Sequence, residues 1–174
     1  SKTTTSVARK EIIEDSKPVA YWPMNARTDR LLRDFSENGN DAELFGRFSP
    51  QQSYKDGRFG AGFVSDGEWN RIRITLGKKL NLNDNFSIEG WIYPESTPAP
   101  TARKQVGLFW FDDGRLSLTL NNKNNLQVKL ISKDNKPFYS PVAEIPIRKW
   151  THIAVTYASG KLALYVNGVP FRKG

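Results

Sequence analysis

The chain contains no cysteine. That absence excludes disulfide staples, thiolate nucleophiles and cysteine-ligated metals, and it leaves the redox compartment open. There is one histidine, His152, so any imidazole chemistry would rest on that residue. Neither a nucleophile nor an orienting acid can be assigned to it from spacing, and it reads as structural. No apolar run approaches the length that crosses a bilayer. No segment sustains a helical period, although Val7–Ile13 and Asp29–Phe35 have the pattern for a turn or two.

What is present is a chain of 174 residues, the size of one domain and long enough for a hydrophobic core. Lysine and arginine number 26 against 18 acidic residues, a formal charge of +8. Such a balance suits an acidic partner: a sulfated or uronic glycan, nucleic acid, anionic lipid or an acidic protein surface. The cations are scattered (Arg27, Arg30 and Arg33; Arg71 and Arg73; Arg103 and Lys104; Arg148 and Lys149) and form no dense tract, so a generally basic, solvated surface accounts for them equally well. Residues 1–18, SKTTTSVARKEIIEDSKP, are polar and read as a tail or linker. Residues 19–174 read as the folded part.

Strand signals recur along that part with turn residues between them. Val19–Met24, Arg71–Leu76, Phe86–Tyr93, Val106–Phe111, Arg115–Leu120 and Leu126–Ile131 are short apolar or alternating runs. In KWTHIAVTYASGKLALYVNGVP, Ile153, Val155 and Tyr157 share one strand face, and Leu162, Leu164 and Val166 repeat the pattern. Ala158-Ser159-Gly160 turns the chain between them, and Asn167-Gly168 predicts a second tight turn into another strand. Asp113-Gly114 is a further hairpin signal. Trp110, inside the apolar run VGLFWF, is expected in the core, whereas Tyr93 and Tyr139 fit either face. This pattern predicts an all-β fold, an antiparallel β-sandwich of the jelly-roll kind.

Five segments in order resemble one family, the laminin-G-like, concanavalin A-like jelly rolls found in bacterial secreted and surface proteins. VAYWPMN (Val19–Asn25) is similar to its opening strand, and DFSENGNDAELFG (Asp34–Gly46) to its loop and second strand. GRFGAGFVSDGEWNRIRI (Gly57–Ile74) resembles its glycine-rich turn and following strand. FSIEGWIYPE (Phe86–Glu95) and the KWTHIAVTY hairpin resemble its central strands. The resemblance implies a secreted or cell-surface location. It also implies a closing strand beside Val19–Met24, usually within a Gly-x-Ile-Asp-Glu-Val-like segment, and nothing of that kind follows Val169. The expectation is therefore a sandwich incomplete at its C-terminal end. Further residues of the same gene product, or a partner chain, would complete it.

Some members of this family are glucanases, and a retaining glycosidase needs two carboxylates facing each other across the sugar. RLSLTLNN and LQVKLISK carry no such pair, Glu89 stands alone in its strand, and Asp112-Asp113 sits in a turn. An enzyme is not expected. Nucleic acid is not expected either: RFGAGFV (Arg58–Val64) superficially resembles an RNA-recognition strand, but the order of its glycines and aromatics is wrong.

For calcium, the Asp34–Asn40 loop (DFSENGN) offers oxygen ligands at alternate positions, Asp34 and Asn38 among them, with a glycine sixth. Phe45 stands where a bidentate glutamate would be needed, and the loop equally fits an ordinary turn satisfying its own backbone. The resemblance adds Asp66, in the loop where calcium-binding members can hold the ion. For a sugar, Trp69 and Asn70 precede a strand whose outward side chains are Arg71 and Arg73, with Ile72 and Ile74 toward the core. An aromatic ring beside two guanidinium groups suits an acidic glycan. Two functions follow: a non-catalytic carbohydrate-binding or adhesion module, and a structural subunit docked to another chain.

Overall fold

Alternating apolar and polar residues lay the chain out as short antiparallel strands. The computed structural model describes residues 17–25, 30–47, 49–66, 71–74, 85–98, 105–111 and 115–171. The chain divides into two units, Ser1–Leu80 and Asn81–Gly174, and the described elements make it an all-β, antiparallel sandwich.

The first unit holds β1 (Leu31–Leu32), β2 (Ala42–Phe45), β3 (Tyr54–Gly57), β4 (Gly60–Phe63) and β5 (Arg71–Ile74), with one helical turn at Pro50–Ser53. The sheet order is β1-β2-β5, and β3-β4 is a separate hairpin. Leu32, Ala42, Leu44 and Tyr54 are buried together, and Trp22, Met24, Phe63, Ile72 and Ile74 pack against them. The isoleucines of RIRI thus face the core, as period-2 alternation requires. The segment Asp29–Phe35 is not helical where it is described; Leu31 and Leu32 pair instead with Glu43 and Ala42.

Val19–Met24, expected as a strand, joins no described sheet. Its backbone is held by the 34–40 loop. Tyr21 accepts from the Phe35 N–H at 2.9 Å, and the Val19 carbonyl accepts from Ser36 Oγ, Asn38 Nδ2 and Asn40 Nδ2. The alternation of this segment was misleading because Trp22 and Met24 do reach the core, while loop side chains take the role of a ladder.

The second unit holds β6 (Phe86–Ile92), β7 (Gln105–Phe111), β8 (Leu116–Asn121), β9 (Asn125–Ile131), β10 (Pro137–Tyr139), β11 (Ala143–Glu144), β12 (Thr151–Ala158), β13 (Lys161–Val166) and β14 (Val169–Pro170). One sheet has the order β10-β9-β8-β7, with β11 also paired to β9; the other is β14-β13-β12-β6. Leu116, Leu120, Leu126, Val128 and Leu130 of the first sheet and Ile153, Val155 and Leu164 of the second are buried in one cluster, so the two sheets pack face to face. Ser159 and Gly160 both have positive φ (50° and 75°), as do Asn167 and Gly168 (50° and 78°). Both connections therefore have the left-handed backbone of two-residue hairpins, and the second leads into β14. The Asp113-Gly114 turn lies outside the described residues.

Candidate functional site

The residues singled out by the sequence do not converge. Trp69 and Asn70 lie outside the described residues. Arg71 stands on β5 opposite Phe45, and Arg73 opposite Glu43. The Arg73 guanidinium sits 4.7 Å from the centre of the Phe45 ring, a cation–π contact that gives it a structural task.

Asp34 is likewise engaged by its own loop. Its Oδ1 accepts from the N–H groups of Tyr21 (2.8 Å) and Ser36 (2.9 Å); its Oδ2 accepts from Ser36 Oγ (2.7 Å) and the Asn40 N–H (2.9 Å). Burial raises the pKa of this carboxyl, but the hydrogen bonds from Tyr21, Ser36 and Asn40 outweigh it and hold the group below its ordinary value. Asn38 turns its Nδ2 toward the Pro18 and Val19 carbonyls, and Asp66 is exposed. The four donors of the chain that ring this carboxylate make the loop a backbone clasp. Among the described residues no three His, Cys, Asp or Glu side chains cluster as a metal site.

His152 stands on the outer face of β12, opposite Trp91 of β6. The two rings lie 5.1 Å apart, and His152 Nε2 is 3.7 Å from the exposed Glu89 carboxylate. Beside them Tyr93 and Trp150 are 5.3 Å apart. The rings pack in pairs across β6 and β12, although Trp91 and Tyr93 remain exposed.

The outer face of the other sheet is different. In β8 the core residues Leu116 and Leu120 alternate with Ser117 and Thr119, and in β9 Leu126, Val128 and Leu130 alternate with Gln127 and Lys129. The register aligns Trp110, Ser117, Lys129 and Tyr139 in one row across β7, β8, β9 and β10, with Gly107, Thr119 and Gln127 in the next. Trp110 is 64% exposed and Tyr139 56%. Between them Ser117 and Thr119 are buried, at 7% and 8%, while Gln127 and Lys129 are half-buried and, among the described residues, their side chains have no hydrogen-bonding partner. The row spans three strand spacings, roughly 14 Å.

Trp110 is therefore not a core residue. A register shift between Gly107 and Phe109 inserts Leu108 as an extra residue, which breaks the alternation of VGLFWF. Phe109 and Phe111 turn to the core and Trp110 turns out. Ser117, Thr119, Gln127 and Lys129 were readable from period-2 alternation in RLSLTLNN and LQVKLISK. What the sequence does not show is that β7 and β10 flank those strands and bring Trp110 and Tyr139 to the two ends of the row.

The arrangement is one that can stack flat, hydroxyl-rich molecules: two exposed rings with an amide and an ammonium group between them.

A solved structure sharing this fold is domain 4 of AbnA, a GH43 extracellular arabinanase from Geobacillus stearothermophilus, in complex with arabinotriose. It is 21% identical with a TM-score of 0.58, and the match covers 82% of this chain and 68% of that one. No curated protein matches the chain. The model of the concanavalin A-like lectin/glucanases superfamily matches residues 66–173, more than half of the chain. The two-sheet core, the tight hairpin turns and this match agree: the chain belongs to the concanavalin A-like lectin/glucanases superfamily.

Proposed function

We propose that the chain is a non-catalytic carbohydrate-binding module that lays a glycan across the outer face of β7, β8, β9 and β10. One observation carries this reading. Trp110 and Tyr139, both exposed, stand at the two ends of a row that holds the half-buried Lys129, with the half-buried Gln127 in the next row. Aromatic rings stack on the apolar faces of sugars, and Gln127 and Lys129 offer an amide and an ammonium group to the hydroxyls. The arabinotriose complex of the structural neighbour supports a glycan as ligand.

Lys129, in the middle of the row, favours a chain bearing uronate or sulfate, in keeping with the formal charge of +8. Nothing among the face residues named is a carboxylate, so the face binds without the acid pair that hydrolysis requires. A polymeric ligand of this kind suits a module outside the cell or at its surface. The test is titration with arabinotriose, trigalacturonate and a heparin-derived tetrasaccharide at low and high salt, for the unaltered chain and for Trp110→Ala. The reading requires binding of at least one probe and its loss in the variant. Equal binding by both proteins would overturn it.

A further inference from the structure

We infer that Gly107 is a positioning residue of this face: its missing side chain is the seat that holds the Trp110 indole. The inference rests on the reading of the face as a glycan site, but its structural half stands without it.

The geometry begins with the bulge. In an unbroken strand, residues three apart point to opposite faces. Because Leu108 is extra, Gly107 pairs with Thr119 and Trp110 with Ser117, so the two become successive positions on the same outer face. The indole then folds back along β7. A Cβ built on Gly107 would collide with the pyrrole edge of that ring, at Nε1 and Cδ1, and would lie 3.0 Å from Cε2. Nothing about the Gly107 backbone demands glycine, since it is absent from the positive-φ residues. The requirement comes from the ring.

The consequence is a ring whose pyrrole edge is lodged beside the Thr119 row while the side chain as a whole remains 64% exposed. A stacking platform fixed in one rotamer binds better than one that must be ordered by the ligand, because less freedom is lost on association. Any side chain at position 107 evicts the indole from its notch and returns it to a set of rotamers. The amide of Gln127 then loses its alignment with a sugar stacked on the ring.

The first test needs no ligand. In the NMR spectrum of the unaltered protein, the α protons of Gly107 should show ring-current shifts and cross-relaxation with the indole of Trp110; their absence overturns the seat. The second test is a double-mutant cycle on the tightest of arabinotriose, trigalacturonate and the heparin tetrasaccharide. Gly107→Ala should weaken binding about five- to ten-fold, yet change nothing further in a Trp110→Ala background. An equal loss in both backgrounds, or none in either, overturns positioning through Trp110. If the unaltered protein binds no probe, the glycan reading fails, while the NMR result still decides the seat.

Discussion

The carboxylate of Asp34 accepts the N–H of Asn40 at 2.9 Å, and the side chain of Asn40, fully buried, donates in turn to the Val19 carbonyl at 2.9 Å. Asn40 also accepts the Trp22 indole N–H on its own carbonyl at 2.8 Å. The Asp34–Asn40 loop thereby fastens the segment before β1 to the core of the first unit.

The first prediction follows from that charge. Asp34→Asn keeps the shape but loses an anionic acceptor and points an N–H₂ group at existing donors. It should destabilise the first unit by about 1–2 kcal/mol, at the low end for charged hydrogen bonds because the carboxylate is partly solvated. Amide hydrogen exchange at Tyr21 and Asn40 is the readout, and both should exchange faster in the variant.

A pH dependence follows with a defined sign. The folded pKa of Asp34 lies below its ordinary value of 3.8. Its contribution to stability is therefore complete above 3.8 and is lost as pH falls through the lower, folded value. An acid unfolding profile monitored at the Trp22 indole N–H should move to higher pH in Asp34→Asn. Superimposable profiles would show that the charge contributes nothing.

Calcium should leave the clasp unchanged. Since all four contacts to Asp34 are donors from the chain itself, adding millimolar calcium or a chelator should shift neither the melting temperature nor the Asn40 amide resonance. A rise in Tm on titration with calcium would reverse the assignment of this loop.

In the second unit, Leu164 is fully buried where β13 meets the β8 and β9 leucines. Leu164→Ala should cost about 2–5 kcal/mol. Gly168→Ala, at φ 78° in the turn before β14, should cost about 1 kcal/mol. Denaturant melts of the two variants measure both, and the order of the two effects is the part that matters.

How much of this was legible in the sequence depends on how far each feature is set by local pattern. The hairpin from Thr151 to Val166 was, because alternation and an Ser-Gly turn are local signals. So were the inward isoleucines of β5 and the all-β class. Val19–Met24 was not: its apolar residues do reach the core, but its backbone partners are side chains of a loop many residues away. Trp110 was not, because one inserted residue inverts the faces of everything after it, and a bulge leaves no mark in a run that is apolar throughout. The ligand face was half legible. Its polar strip follows from period 2, whereas its two aromatic ends depend on strand order.

The most direct measurement is glycan affinity for the unaltered protein, Trp110→Ala, Tyr139→Ala and Lys129→Gln, with folding of each checked by its melting curve. The account predicts a bound glycan, a loss of about ten-fold or more for each aromatic variant at unchanged Tm, and, for an acidic probe, a weaker salt dependence in Lys129→Gln. Folded aromatic variants that bind every probe as tightly as the unaltered chain would contradict it.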